Sequence, residues 1–147
     1  MSIDLLRPSL LQLVETPDRA WVTILAGALL MTREFCAPGS VVPGVLGGVA
    51  MIAGVYGLSQ WPVTPAGAFL CIASVSACLW LFTTRSKHPF TGGTISGIGT
   101  FFGALLLVRG DAGIALEVAL LTIPVMTFVG WLLWFGLKAR QNKFPLE

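Results

Sequence analysis

Charge is what this sequence has least of. Only 11% of its 147 residues are Asp, Glu, Lys or Arg, against roughly 25% in an ordinary soluble domain. Meanwhile 55% of the residues are hydrophobic, and mean hydropathy is +0.84. A soluble chain of this length can bury a sizeable core, but it needs a polar surface to cover that core. Too few charges are present to make one. Several apolar blocks also lack any polar face, which excludes an amphipathic bundle in water. The scarcity of charge therefore points to lipid as the solvent. A formal net charge of only +2, with no basic run interleaved with aromatics, excludes nucleic acid as a partner.

Ligand-forming and redox residues are equally sparse. His88 is the single histidine and sits among the positive charges of the Arg85–Pro89 loop; with no second ligand type nearby it makes no metal site. The cysteines, Cys36, Cys71 and Cys78, are odd in number and form no CxxC. Cys71 and Cys78 share a helix face but lie too far apart along it to bridge, so all three read as small packing residues. Ser40, Ser86 and Ser96 have no Lys or His arranged to activate them. The stretch "TGGTISGIGT" has no GKS/T and no strand before it, so it is not a phosphate loop. No catalytic residue, cofactor site or metal site is expected. The N-terminus lacks a compact basic region ahead of an apolar core, so no cleaved signal peptide is expected.

What is abundant is apolar length. Five blocks follow one another, at about Ala20–Phe35, Val42–Leu58, Pro65–Phe82, Gly93–Val108 and Gly113–Leu137. At about 1.5 Å rise per residue most suit a hydrocarbon core of ~30 Å, and inside lipid helices are the default. The first and fourth are short; they reach the interfaces through polar flanks or enter only part of the way. Thr16-Pro17 and Thr64-Pro65 each set a capping hydroxyl before a proline at the first helical position, and Pro124 predicts a kink in the fifth helix. The expected fold is all-α: a polytopic membrane protein of about five transmembrane helices. Residues 1–19 are expected to form an amphipathic interfacial segment, 20–138 the membrane domain and 139–147 a short basic tail.

Aromatics and charges orient the chain. Trp21, Tyr56 and Trp61 fall on one side, and Trp80, Trp131 and Trp134 on the other, as an aromatic belt. Arg33, Arg85, Lys87, Lys138, Arg140 and Lys143 share one side; Arg7, Arg19 and Arg109 share the opposite side with Asp4, Glu15, Asp18 and Asp111. The basic excess places the first side in the cytoplasm, with the N-terminus outside and the C-terminus inside a cell (inner) membrane.

Glycine is the other abundance, with 17 residues. The block from Ala26 to Leu58 has a weak echo from Leu70 to Val108: an apolar helix, a charged break with proline and glycine, then a glycine-rich helix. Gly44 matches Gly93, and Gly48 matches Gly97; Gly44 with Gly48 and Gly93 with Gly97 have GxxxG spacing, as do Gly99 and Gly103. Gly47, Ala50, Gly54 and Gly57 form a further small-residue stripe. Small residues let backbones approach closely in lipid, so these positions predict tight glycine-rich hairpins, packed within the chain or between copies. Pro38, Gly39 and Pro43 shape the first turn. Glu34 closes the first helix, and Glu117, about one turn into the fifth, is the one ionisable candidate within a span.

The order of these features resembles the membrane region of the NfeD family. A helix ending in "REF" is followed by "APGSVVPGVLGGVAMIAGVYGL" and then by "WPVTPAGAFLCIASVSACLWL". The likeness covers roughly Thr16 to Lys138 and is most specific over "PGVLGGVAMIAGVYGL" and "WPVTPAG". It implies that Glu34 occupies the family's acidic helix end, capping the turn's amides or meeting a partner. The third helix departs from the pattern, reading "LFTTRSKHPF" where the family usually has a glutamate. Long members carry a ClpP-class serine-protease domain before the membrane region and many end in an OB-fold; neither is expected in this chain. The resemblance implies a non-enzymatic scaffold or accessory protein in the lipid bilayer, partnering stomatin- or flotillin-like proteins in membrane organisation or quality control. The alternative is a small oligomeric transporter or channel, for which only Glu117 and scattered Ser and Thr would line a path.

Overall fold

The computed structural model describes residues 15–36, 41–83, 90–110 and 113–141. Six helices follow in order: α1 (Pro17–Cys36), α2 (Val41–Ser59), α3 (Pro65–Thr83), α4 (Thr91–Leu107), α5 (Leu116–Leu120) and α6 (Thr122–Gln141). The only extended pairing among the described residues is a single antiparallel bridge between Val63 and Val108.

Both Thr-Pro pairs start helices. Thr16 Oγ1 accepts from the Arg19 amide at 3.3 Å and its carbonyl from Ala20 at 3.0 Å. Thr64 repeats this with Gly67 at 3.2 Å and Ala68 at 3.1 Å. Proline fits the position after each cap because its missing N–H is not needed there. The expected kink in the fifth helix is a break. Pro124 cannot donate to the Leu120 carbonyl, and α5 ends at Leu120, with α6 starting again at Thr122.

The helices lie in the contact order α2, α1, α6, α4, α3. Helix α1 packs along α2, and α3 along α4; α6 joins the two hairpins by lying against α1 and α4. The internal repeat therefore serves two different placements, since the inner helix is the first of one hairpin and the second of the other. At one end the start of α1, the α2–α3 loop and the α4–α5 connection converge. There Arg109 donates to the Pro62 carbonyl at 3.3 Å, and the Ala115 amide donates to Asp18 Oδ1 at 2.7 Å. The main apolar cluster lies at this end, including Ala20, Trp21, Leu58, Leu107 and Ala119. At the opposite end the Cys36 thiol donates to the Leu132 carbonyl at 2.9 Å.

Trp21 does not join an interfacial belt. It is buried, and its indole N–H donates to Thr122 Oγ1 at 3.0 Å. A ring at the start of a span can turn inward when a neighbouring helix supplies an acceptor.

Away from the main apolar cluster, small side chains turn inward and many large apolar ones outward. Gly93, Ser96, Gly97, Thr100, Gly103 and Ala104 are buried in α4, whereas Ile52, Phe69, Ile72 and Trp80 are 67–73% exposed. Water would drive those large apolar groups inward; lipid does not, and close helix approach then selects small residues for the interior. By length and composition, α2 and the joined α5–α6 segment Leu116–Ala139 can each cross a membrane, and Pro65–Trp80 and Thr91–Leu107 are shorter apolar helices. Together these features describe an all-helical membrane protein.

Candidate functional site

The sequence singles out glycines and a turn rather than a catalytic pocket. Along the α1–α2 seam backbone meets backbone. A Cβ on Gly27 would stand 2.7 Å from the Gly47 carbonyl oxygen, and one on Gly47 would stand 2.7 Å from the Gly27 carbonyl oxygen. Further along, a Cβ on Gly54 would meet the Ala20 carbonyl oxygen at 2.7 Å. No side chain larger than hydrogen fits these places, which is why the seam needs glycine. Gly48 lies on the neighbouring flank of α2, and a Cβ there meets nothing within 4 Å. The packing stripe thus runs through Gly47 and Gly54 and misses Gly48.

Helix α4 carries two seams because it has two neighbours. Gly93 and Gly97 face α6, where added Cβ atoms would meet the Met126 carbonyl oxygen at 2.8 Å and Ile123 Cα at 3.1 Å. Gly99 and Gly103 face α3, against Ser74 and Cys71. From α3, Gly67 returns the contact, with Leu107 Cα 2.6 Å from its notional Cβ. Gly44 and Gly93, equivalent in the repeat, therefore meet different things: Gly93 meets α6, and Gly44 meets the carboxylate of Glu34.

That carboxylate is the most unusual polar group in the fold. Glu34 ends α1 and lies over the first turn of α2, where Gly44 leaves room for it. Its Oε2 is buried and has no hydrogen-bond partner. Burying such an atom is costly, and the positive end of the α2 dipole offsets part of that cost. Pro43 sits half-buried in the same turn, where its missing N–H is not required. Pro38 and Gly39 fall outside the described residues. Because the group against Gly44 is the flexible end of a side chain, Gly44→Ala is expected to evict the carboxylate rather than separate the helices. Thermal unfolding in detergent should move by less than about 1 kcal/mol, while reaction of Glu34 with a hydrophobic carbodiimide rises. A large loss of stability with no gain in labelling would contradict this.

Glu117 is exposed in the first turn of α5, near the end where Asp18 and Arg109 gather. A carboxylate there faces the positive end of a helix. Most interior hydroxyls are turned on their own helices: Thr32 donates to Ala28, Ser74 to Leu70, Thr100 to Ser96 and Thr127 to Ile123, all at 2.7–2.8 Å. Ser96 Oγ is buried beside the Cys78 thiol. Among the described residues no three His, Cys, Asp or Glu side chains gather as a metal site would require.

Sequence reasoning did not single out Gly27, Gly67, Asp18 or Thr122. The first two were visible as Ala-Gly pairs inside apolar blocks, but nothing marked their faces. The pairing of Trp21 with Thr122 spans 101 positions and had no local signal.

The family model described as the NfeD integral membrane domain matches residues 19–138. No curated protein and no solved structure matches the chain. The matched segment begins beside the Thr16 cap and ends at Lys138, so it takes in every helix seam described above.

Proposed function

The chain belongs to the NfeD family, whose integral membrane domain occupies residues 19–138, and on that premise we propose that it is a non-enzymatic membrane scaffold. It crosses the cell membrane five times with its N-terminus outside, and partners a stomatin- or flotillin-like protein in membrane organisation or quality control. The closure of the helix seams carries this proposal. Backbone contacts at Gly27–Gly47, Gly67–Leu107 and Gly93–Met126 leave those seams no room for a polar path. Hydroxyls already bonded within their helices have no donor to spare for a passing solute. A rigid body with a wide apolar exterior suits lateral association.

Crosslinking in native membranes followed by affinity purification should recover a stomatin- or flotillin-like protein. Liposomes holding the purified chain should show no solute flux. A flux abolished by Glu117→Gln, with no such partner recovered, would instead establish the transporter alternative. Reporter fusions after Arg33 and Lys138 should both report the cytoplasm, and a fusion after Gln60 the outside.

A further inference from the structure

We propose that the outer face of α6 holds an anionic phospholipid, with its acyl chain along an aromatic ladder and its phosphate at Lys138. The proposal rests on α6 spanning a bilayer and is independent of which protein partners the chain. Phe128, Trp131 and Phe135 stack in sequence, with centroid separations of 5.7 and 6.2 Å and interplanar angles of 29°. All three are exposed, Phe128 by 50% and Phe135 by 58%. Residues seven apart share a helix face, so Phe128 with Phe135 and Trp131 with Lys138 form two adjacent files. The stacked rings make one continuous apolar face along which an acyl chain can lie. At its upper end the Lys138 ammonium rests 4.7 Å above the Trp134 ring. Such a contact holds the charge in place while leaving ammonium hydrogens directed away from the ring.

The face itself argues for lipid rather than another helix. The glycine contacts described above all lie where one helix meets another, and the ladder face has no glycine. Gly136, next to Phe135 in sequence, is turned the other way, onto Cys36. Charge selects the class of lipid. Arg140 and Lys143 follow Lys138 closely in sequence, and Arg33 lies in the last turn of α1 beside the Cys36–Gly136 contact. A lysine at the end of an apolar face, with further basic residues following it in sequence, attracts an anionic headgroup over a zwitterionic one.

The test equilibrates the full chain, in neutral detergent, with equimolar phosphatidylglycerol and phosphatidylcholine, and counts bound lipid by native mass spectrometry. Phosphatidylglycerol should be preferred by about fivefold, the effect of one basic residue near a lipid surface. The preference should drop severalfold in Lys138→Gln, persist in Lys138→Arg, and fall in the unaltered protein at high salt. Trp131→Ala should lower the occupancy of both lipids. Equal binding of the two lipids by the unaltered protein, a preference insensitive to salt, or one undiminished in a folded Lys138→Gln variant would overturn the proposal. If neither lipid bound and the protein stayed monodisperse without detergent, the membrane premise itself would fall.

Discussion

Replacing Gly67 with alanine should destabilise the protein by about 3 kcal/mol, the upper end of what overpacking a core costs. The same change at Gly48 should be neutral or slightly stabilising. The atoms facing Gly67 are the backbone of Leu106 and Leu107, 2.6–2.7 Å from a Cβ. No rotamer change relieves that collision, so α3 and α4 must separate along their length. Their separation would also strain the Thr64 amide's bond to the Leu107 carbonyl, 2.7 Å long. At Gly48 nothing lies within 4 Å, and alanine gains up to about 1 kcal/mol in helix propensity. Unfolding in mixed detergent micelles, followed by circular dichroism, measures both. Similar losses for the two variants would mean that the seams are not where the geometry places them.

Loss of the Trp21 side chain should have the largest effect of any single truncation. Trp21 is 5% exposed and Thr122 fully buried, and their hydrogen bond joins α1 to the first turn of α6. Trp21→Ala removes the ring and the bond together and should cost about 3–5 kcal/mol. Trp21→Phe keeps most of the ring and leaves the Thr122 hydroxyl without its donor; about 1–2 kcal/mol is expected. Thr122→Val strands the indole N–H at a similar cost, and Thr122→Ser should be mild. The Trp21→Phe, Thr122→Val pair should be less damaging than the sum of its parts, because neither polar group then remains unsatisfied. Strict additivity would show that the two side chains do not interact.

The helices were legible and their neighbours were not. Expected blocks such as Val42–Leu58 and Pro65–Phe82 end within one residue of α2 and α3, because Thr-Pro caps and polar flanks interrupt apolar runs abruptly. The family resemblance was legible for the same reason, since "PGVLGGV" and "WPVTPAG" sit at helix entries. Which face of each helix turns inward was harder. In water, polarity marks the outer face; here both faces are apolar, and only size distinguishes them. Adjacent glycines, as at Gly47-Gly48, then read alike although one is sealed and the other open. Trp21 is misread by the same contrast, because a tryptophan at a span's edge ordinarily faces the interface. Glu34 is the converse case. Its place at a helix end was visible, whereas the glycine pocket that receives its carboxylate depends on a turn closing back.

The outward placement of large apolar side chains is tested most directly by spin labels at those residues. Single cysteines at Ile52, Phe69, Phe102 and Phe128, in a background with the three native cysteines replaced, would be labelled and reconstituted into vesicles. All four sites should be accessible to molecular oxygen and shielded from a water-soluble nickel chelate, as lipid-facing positions are. Strong collision with the chelate at these positions would place water around the helices and contradict a membrane-spanning fold.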